Sequence, residues 1–431
     1  MRLLVLAVAL FFLYSCSPVS FSRLNKTFNA TEERFQDHTG FVLYDLEKNK
    51  TIFDFNGSRY FTPASNTKIF TFYTALKTLG DSVPALEYVQ RNDSLIFWGT
   101  GDPSFLYKEV FYDSTVYHFL ARSQADLYFS PANFHTHHFG EGWAWDDYNT
   151  QYSPERSAFP VYGNIVSVIA DQQVLKITPE YFSEFFMAGE ENEKTVIIRD
   201  LSQNTFVVHP AKQPVDVKEI KIPFRVDSLT FIKVLSDTLK RPVTQVNILL
   251  PATTNTLFSI HLDSLYSVMM QDSDNFIAEQ LLLMCSNVLS DSLKPEIAIE
   301  FMKKNYLNDL PDAPVWVDGS GLSRYNLFTP RSIVKLWQKI WETVPRERLF
   351  PLLATGGVNG TIRKWYQGEG EKPYIFGKTG SLSNNHCLSG FLVTRKGRVL
   401  IFSFMNSNFT GSTNAIRSNM QDILKNIYEH Y

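Results

Sequence analysis

Two short stretches near the beginning of the chain alternate in the polarity of successive residues. The segments FVLYDL (41–46) and TIFDF (51–55) flank a polar turn, EKNK. A period of two places alternate side chains on opposite faces of a strand, so we predict a β-hairpin here.

The next segment has a helical period. Pro63 stands near its beginning, apolar residues recur at helical spacing, and Gly80 ends it, so we predict a helix between them.

The middle of the chain has short apolar runs separated by turn residues. Runs such as TVIIRD, TFVVHP and VNILLP predict a β-rich region over residues 86–250. Helical periodicity returns after residue 255, where a polar break at 271–275 separates two predicted helices. The end of the chain predicts three strands followed by a helix. We therefore expect one domain built from residues 22–85 and 251–431, into which residues 86–250 are inserted.

An apolar run stands at the N-terminus. Arg2 is followed by apolar residues from Leu3 to Leu13, a run shorter than the about 20 residues of a spanning helix but typical of a secretory signal. The run ends in Leu-Tyr-Ser-Cys, which resembles the lipobox of bacterial lipoproteins. That resemblance implies a signal peptide over residues 1–16 and a lipid anchor on Cys16. Cleavage without lipidation is the alternative.

Composition excludes some classes of protein. The chain has 431 residues, of which 44% are hydrophobic and 20% charged, as expected for a folded globular protein. The net charge is −3 without a basic run, so binding to nucleic acid or to an anionic membrane surface is not indicated. Beyond Cys16 only Cys285 and Cys387 remain, and either a disulfide or two buried thiols agrees with the sequence.

Three short polar segments supply the residue types of a serine acyl-transfer site. They are Ser-Asn-Thr-Lys at 65–68, Ser-Asp-Asn at 273–275 and Lys-Thr-Gly at 378–380. A serine hydroxyl is a weak nucleophile and needs a base within hydrogen-bond reach. Lys68 meets this need only if its amine is partly neutral. Burial and a neighbouring cation such as Lys378 both favour the neutral form.

Each segment is a weak signal alone, but their order and predicted elements resemble the motif set of active-site-serine penicillin-binding proteins and β-lactamases. Four further blocks narrow the resemblance to the class C low-molecular-mass penicillin-binding proteins, the serine D-alanyl-D-alanine carboxypeptidase/endopeptidase family. The blocks are WGTGDPSFL (98–106), GWAWDDYNTQYSPERSAFPVYGN (142–164), VDGSGLSRYNLFTPR (317–331) and GGVNGTIRKW (356–365). The long interval between the first two motifs also fits this family.

The resemblance implies an α+β fold. A β-lactamase/transpeptidase-like domain, with an antiparallel sheet flanked by helices and a helical subdomain, would carry the β-rich inserted region. The implied activity is cleavage of the D-Ala–D-Ala bond or the D-Ala–diamino acid cross-link of peptidoglycan stem peptides. β-Lactam antibiotics would be covalent inhibitors, and neither a metal nor a cofactor would be required. The implied location is the periplasmic side of the cell envelope.

The resemblance also implies a role for each motif residue. Ser65 would be the nucleophile and Lys68 its base, while Ser273 would relay a proton to the departing amine. The remaining implied substrate contacts come from Asn275, Lys378, Thr379, Gly380 and Ser381, with the backbone N–H groups of Ser65 and Ser381 facing the oxyanion. Asp147 and Arg324 correspond to positions that hold the zwitterionic end of the diamino acid. A surface salt bridge is the alternative for these two residues, and Asp146 is adjacent.

Two other functions agree with parts of the sequence. Ser-Asp-Asn also occurs in β-lactamases, although no Glu-x-x-Leu-Asn segment is evident. A wall-binding protein without activity is the second alternative.

The histidines at 135, 137 and 138 lack a ligand to complete a metal site, so we expect an exposed loop. For His386 we expect a structural role.

Overall fold

The computed structural model describes residues 21–110, 114–171, 174–212, 219–368, 370 and 372–431. Cys16 and the predicted signal peptide lie outside these residues. Across the described ranges, no helix combines the length and the apolar character that crossing a membrane requires.

The strands are distributed along the whole chain. In order they are β1 (His38–Asp45), β2 (Lys50–Phe55), β3 (Ser82–Arg91), β4 (Ser94–Gly99), β5 (Asp126–Phe129), β6 (Ile165–Asp171), β7 (Val174–Thr178), β8 (Phe186–Ala188), β9 (Val196–Arg199), β10 (Phe206–His209), β11 (Ile220–Pro223), β12 (Val243–Gln245), β13 (Asn255–His261), β14 (Ala354–Thr355), β15 (Ile375–Leu382), β16 (Asn385–Val393) and β17 (Val399–Ser407).

Half of the described helices lie between residues 262 and 352. The α-helices are α1 (Phe21–Phe35), α2 (Lys68–Thr78), α3 (Thr115–Arg122), α4 (Ser228–Leu239), α5 (Leu262–Ser267), α6 (Asn275–Ser290), α7 (Pro295–Asn305), α8 (Pro330–Thr343), α9 (Arg346–Leu352) and α10 (Thr413–His430). Short 3₁₀ turns cover Ala64–Thr67, Trp145–Asn149, Tyr162–Asn164, Glu180–Phe185 and Gly360–Ile362, and a π-turn covers Val268–Asp272.

A six-stranded sheet carries the third motif. Its order is β14-β15-β16-β17-β1-β2, and every neighbouring pair is antiparallel. The predicted hairpin forms its β1–β2 edge. Along β1, Phe41 and Leu43 pack in the core that includes α1 and α10, whereas Val42 and Tyr44 pack in the core that includes α2 and α6. The sheet is therefore covered by helices on both faces. Residues 41–44 of β1 are apolar and buried in succession, so the strand is present but the alternation predicted for it is not.

The middle of the chain forms three smaller sheets. Their orders are β12-β5-β4-β3-β13, β8-β10-β9 and β11-β6-β7. The first of them includes β3 and β13, which begin before and after the predicted region 86–250, so the sheet extends beyond both boundaries. The division of the chain into these two parts remains a prediction.

The predicted β-rich region also contains two helices, α3 and α4. At the start of α4, the Asp227 carboxylate accepts a hydrogen bond from the Thr230 backbone N–H at 2.9 Å. Phe231, Val234 and Leu235 follow at helical spacing and are buried. An N-cap followed by this period is a helix signal, which the interpretation of the region as strands overlooked.

Candidate active site

The first motif lies at the junction of a 3₁₀ turn and a helix. The turn Ala64–Thr67 leads directly into α2, whose first residue is Lys68. Residues three apart lie on the same side of a helical turn, and the Lys68 Nζ atom is 2.9 Å from the Ser65 Oγ atom. The side chain of Ser65 faces a cavity, whereas Lys68 is fully buried. The Ser65 hydroxyl is thus accessible from the cavity, while the Lys68 amine is shielded from water.

Lys68 has two further hydrogen-bond partners. Its Nζ atom is 2.6 Å from the Asn275 Oδ1 atom and 2.7 Å from the Ser320 carbonyl oxygen. An ammonium has three donors, so the charged form is fully hydrogen-bonded. Burial nevertheless lowers the Lys68 pKa to about 8, against the opposing effect of nearby carboxylates. Of the two causes expected from the sequence, burial is the main one.

The second motif ends one helix and begins the next. Ser273 follows the π-turn with a positive φ of 67°, a conformation that non-glycine residues rarely adopt. Asp274 then caps α6, because its Oδ1 atom accepts from the Ile277 N–H at 2.8 Å. The Asp274 Oδ2 atom accepts from the Tyr107 hydroxyl at 2.7 Å. The predicted polar break is therefore a rigid cap that directs Asn275 toward Lys68.

The third motif lies on β15. The fully buried Lys378 Nζ atom donates to the Ser273 Oγ atom at 2.7 Å and to the Thr379 carbonyl oxygen at 2.9 Å. Burial, with a contribution from Lys68, holds the Lys378 pKa well below its usual value. An anion beside this amine would favour its charged form. The Lys378 amine is therefore a group whose charge would depend on an anion in contact with it.

Gly380 allows β15 to approach the first motif. A Cβ atom at this position would lie 2.4 Å from the Pro63 carbonyl oxygen and 3.0 Å from the Ser65 nitrogen. A side chain would therefore separate the strand from the Ser65 turn. The next residue, Ser381, lines the same cavity as Ser65.

Two residues that sequence reasoning missed support the third motif. The Thr379 hydroxyl donates to the Thr361 hydroxyl oxygen at 2.7 Å. The buried Asn66 side chain donates to the Lys378 carbonyl oxygen at 3.1 Å and accepts from the Ser389 hydroxyl at 2.6 Å. Thr361 lies inside the GGVNGTIRKW block and Asn66 inside the first motif, so both had a sequence signal.

His386 lies opposite Ser381 on the neighbouring strand β16. Its Nδ1 atom is 2.7 Å from the Ser381 Oγ atom, and the side chain is buried. Burial lowers the His386 pKa to about 3, so the ring is neutral at ordinary pH. These contacts agree with the structural role expected from the sequence.

One cavity of about 540 Å³ is bordered by residues of the first two motifs and by Asp147 and Arg324. It is lined by Ser65, Ala144, Asp146, Asp147, Tyr152, Asn275, Gly321, Leu322, Arg324, Ser381, Leu382 and Ser383. The Asp147 Oδ1 atom accepts from the Tyr152 hydroxyl at 2.6 Å. All the candidate substrate contacts other than Lys378, Thr379 and Gly380 therefore border the same space, with opposite charges at Asp147 and Arg324.

The histidine-rich loop and the cysteines have other surroundings. The His135 Nδ1 atom is 2.8 Å from the Ser292 Oγ atom, and the His138 Nδ1 atom is 2.7 Å from the Arg156 carbonyl oxygen. Within the described ranges, no group of three or more His, Cys, Asp or Glu residues is placed to hold a metal ion. Cys285 and Cys387 are buried free thiols.

Comparisons with known proteins agree with this geometry. Residues 24–427 match the D-Ala-D-Ala carboxypeptidase 3 (S13) family. The chain is 24% identical over 440 residues to the D-alanyl-D-alanine carboxypeptidase DacB of Haemophilus influenzae, covering 87% of this chain and 86% of the relative. It is 21% identical over 399 residues to a penicillin-sensitive carboxypeptidase A of Dictyostelium discoideum, covering 79% and 76% of the two chains.

Solved structures show the same fold. Penicillin-binding protein 4 of Haemophilus influenzae superposes with a TM-score of 0.74 at 20% identity, covering 93% of this chain and 99% of the other. A structure of the same Haemophilus protein in complex with a β-lactam gives a TM-score of 0.68 at 19% identity, with the same coverage of both chains. A predatory peptidoglycan endopeptidase of Bdellovibrio bacteriovorus gives 0.51 at 14% identity, covering 90% and 93%. The predicted α+β, transpeptidase-like fold class is confirmed.

Proposed function

This chain belongs to the D-Ala-D-Ala carboxypeptidase 3 (S13) family and is a serine-type DD-peptidase, and we propose that it acts through an acyl-enzyme on Ser65. The observation that carries the proposal is the 2.9 Å separation between the Ser65 Oγ atom and the buried Lys68 Nζ atom. With a pKa of about 8, Lys68 is partly neutral near neutral pH and is able to accept the serine proton.

Acylation begins when neutral Lys68 takes the hydroxyl proton of Ser65. The Ser65 Oγ atom then bonds to the carbonyl carbon of the penultimate D-Ala residue. The oxyanion faces the backbone N–H groups of Ser65 and Ser381, and donors of this kind contribute roughly 3–4 kcal/mol each to transition-state stabilisation. When the C–N bond breaks, Ser273 gives its proton to the departing amine and regains one from the Lys378 ammonium, which donates to the Ser273 Oγ atom at 2.7 Å. The proton that Lys68 took from Ser65 then restores Lys378, so the net transfer is from the Ser65 hydroxyl to the amine.

Deacylation repeats the same proton transfers with water. Lys68 takes a proton from the attacking water, whose oxygen bonds to the acyl carbon. The bond to the Ser65 Oγ atom then breaks and the serine regains its proton. Each cycle therefore consumes one water and restores both side chains, with no metal or cofactor in the sequence of steps.

Charge complementarity supports a substrate that ends in a carboxylate. Lys378 and Thr379 would bind the terminal carboxylate, and the arriving anion would favour the ammonium form of Lys378. Asp147 and Arg324 would bind the ammonium and carboxylate groups of a diamino acid side chain. This arrangement suits peptidoglycan stem peptides, in which cleavage of either the terminal D-Ala or the D-Ala–diamino acid cross-link uses the same acyl group.

Three further features belong to this proposal. β-Lactams would acylate Ser65, as a β-lactam complex of the Haemophilus relative suggests. The protein would work on the periplasmic side of the cell envelope, where its substrate lies. A lipid on Cys16 would anchor it to a membrane, which rests on the lipobox resemblance.

Intact-mass spectrometry with benzylpenicillin tests the function directly. We expect a persistent one-to-one adduct on the wild-type protein and none on a folded Ser65→Ala variant. An adduct that disappears as benzylpenicillin is consumed would favour the β-lactamase alternative. A folded wild-type protein that forms no adduct would contradict both enzymatic functions and favour a wall-binding role. Release of D-Ala from a pentapeptide, compared with cleavage of a cross-linked dimer, separates the two peptidase activities.

A further inference from the structure

The segment 318–321, Asp-Gly-Ser-Gly, lies between the two helices that carry the first and second motifs. A Cβ atom on Gly319 would lie 2.5 Å from the Ala278 carbonyl oxygen of α6. A Cβ atom on Gly321 would lie 1.9 Å from the Ala64 carbonyl oxygen, next to α2. Both glycines therefore bring the segment into backbone contact with its neighbours, one on each side. The residue between them, Ser320, is held at this junction.

The backbone of Ser320 links Lys68 to a buried carboxylate. Its carbonyl oxygen accepts from the Lys68 Nζ atom at 2.7 Å, and its N–H donates to the Glu279 Oε1 atom at 2.7 Å. Glu279 is only 1% exposed. A buried charge is costly unless it is paired. The proton transfers proposed above do not involve Glu279.

Arg156 neutralises the other side of this carboxylate. Its Nη1 atom is 3.3 Å from the Glu279 Oε2 atom, and the arginine side chain is itself buried. The remaining guanidinium donors reach the carbonyl oxygens of His137 and Phe139 at 3.0 and 3.1 Å. Arg156 belongs to the region 86–250, so this region is connected through hydrogen bonds to the partners of Lys68.

We propose that Glu279 is a positioning residue for Lys68. It holds the Ser320 backbone whose carbonyl oxygen orients the Lys68 Nζ atom, and its negative charge, secured by Arg156, limits how readily Lys68 becomes neutral. The inference rests on the proposed role of Lys68 as the base for Ser65. It assigns to the region 86–250 a part in setting the pH range of acylation.

The charges around the Lys68 amine and the Glu279 carboxylate agree with this role. Glu279, Asp318 and Asp274 each raise the Lys68 pKa, while burial lowers it. Lys378 is the nearby cation, and its own pKa is lowered in part by Lys68. Burial and the Asp318 charge raise the Glu279 pKa to about 7, and Arg156 opposes them. The ion pair with Arg156 favours the ionised form of Glu279.

The test is the pH profile of benzylpenicillin acylation in a Glu279→Gln variant. Glutamine still accepts a hydrogen bond from the Ser320 N–H but carries no charge. Loss of a nearby negative charge favours neutral Lys68, so the midpoint of the profile should move to lower pH by about half a unit or more. Rates are normalised to the fraction of protein that benzylpenicillin titrates, so that partial unfolding does not change the midpoint. Glu300→Gln removes an exposed glutamate on α7 and is the matched control.

A Glu279→Gln midpoint equal to that of the wild type would overturn the inference, whatever happens to the melting temperature. If this variant does not fold, Glu279→Asp decides the question. Aspartate keeps the charge but is one methylene shorter, so we expect a wild-type midpoint with a maximal rate reduced severalfold. A folded Glu279→Asp protein with an unchanged rate would contradict positioning. Failure of the wild-type protein to acylate would instead contradict the proposed function.

Discussion

The Lys68 side chain is fully buried, and this burial sets the pH at which its amine is able to act as a base. Since burial lowers the pKa to about 8, the neutral form increases as pH rises through that value. We expect the acylation rate constant to rise about tenfold per pH unit below the midpoint and then to level off.

Stopped-flow measurement of benzylpenicillin acylation across neutral and alkaline pH checks this expectation. A Lys68→Arg variant is the control, because a guanidinium remains charged throughout this range and is unable to act as a base. It should lose acylation by at least about a thousandfold. A wild-type rate that falls with rising pH would mean that the charged form of Lys68 is the active one.

Residue type and spacing are enough to identify the motif residues as candidates, because only a few side chains are able to act as a nucleophile or as a base. Ser65 and Lys68 are recognisable since a base must lie within hydrogen-bond reach of a serine nucleophile, and two residues three positions apart at the start of a helix meet this requirement. Asn66, Thr361 and Glu279 depend on what the fold places beside them, so no local pattern identifies their roles. Asn66 and Thr361 at least lie inside a motif and a block, whereas Glu279 lies outside all of them.

At the scale of elements, the Ser65 helix follows from local periodicity, whereas the hairpin and the three C-terminal strands follow from short apolar runs bounded by turn residues. The polar break is harder to predict, because a π-turn and an N-cap share it. The turn covers Val268–Asp272 and Asp274 caps the next helix. Only the cap has a sequence signature, since the extra residue of a π-turn is fixed by packing.

The segment 318–321 supports a prediction at this scale. Gly321 has a φ of +85°, and a Cβ atom there would lie 1.9 Å from the Ala64 carbonyl oxygen. A Gly321→Ala substitution should reduce the free energy of unfolding by at least about 2 kcal/mol, from conformational strain and steric overlap together. The overlap would displace the Ser65 turn, so the acylation rate should fall as well.

Thermal and chemical denaturation measure the change in stability. Gly80→Ala is the matched control, because nothing lies within 4 Å of a Cβ atom at that position. Its effect should be small. A Gly321→Ala protein with wild-type stability and acylation would show that the two segments are able to separate without consequence.

At the scale of the whole molecule, the substrate cavity is built from distant parts of the chain. Ser65, Arg324 and Ser381 line it together with Asp146 and Asp147. The two aspartates follow Trp145, whose side chain is 76% exposed. No periodicity relates positions so far apart, so the convergence was expected only from the family resemblance.

The turn that carries Asp147 is supported by the strands of the middle region. The Asn149 side chain donates to the Ile197 carbonyl oxygen at 3.1 Å and accepts from the Arg199 N–H at 2.9 Å. The Tyr148 hydroxyl donates to the Arg199 carbonyl oxygen at 3.2 Å. Strand β9 therefore fixes the turn, which connects the middle region to the residues that line the cavity.

Asp147→Asn tests whether this cavity recognises a charged side chain. Asparagine preserves the hydrogen bond from Tyr152 but removes the negative charge. For a stem peptide with a free side-chain ammonium, we expect kcat/KM to fall about tenfold, or about 1.4 kcal/mol. A peptide acetylated at that amine should be hydrolysed equally well by the variant and the wild type, and benzylpenicillin acylation should not change. If Asp146→Asn shows this loss and Asp147→Asn does not, the neighbouring carboxylate is the one that binds the ammonium, and the assignment of Asp147 is wrong.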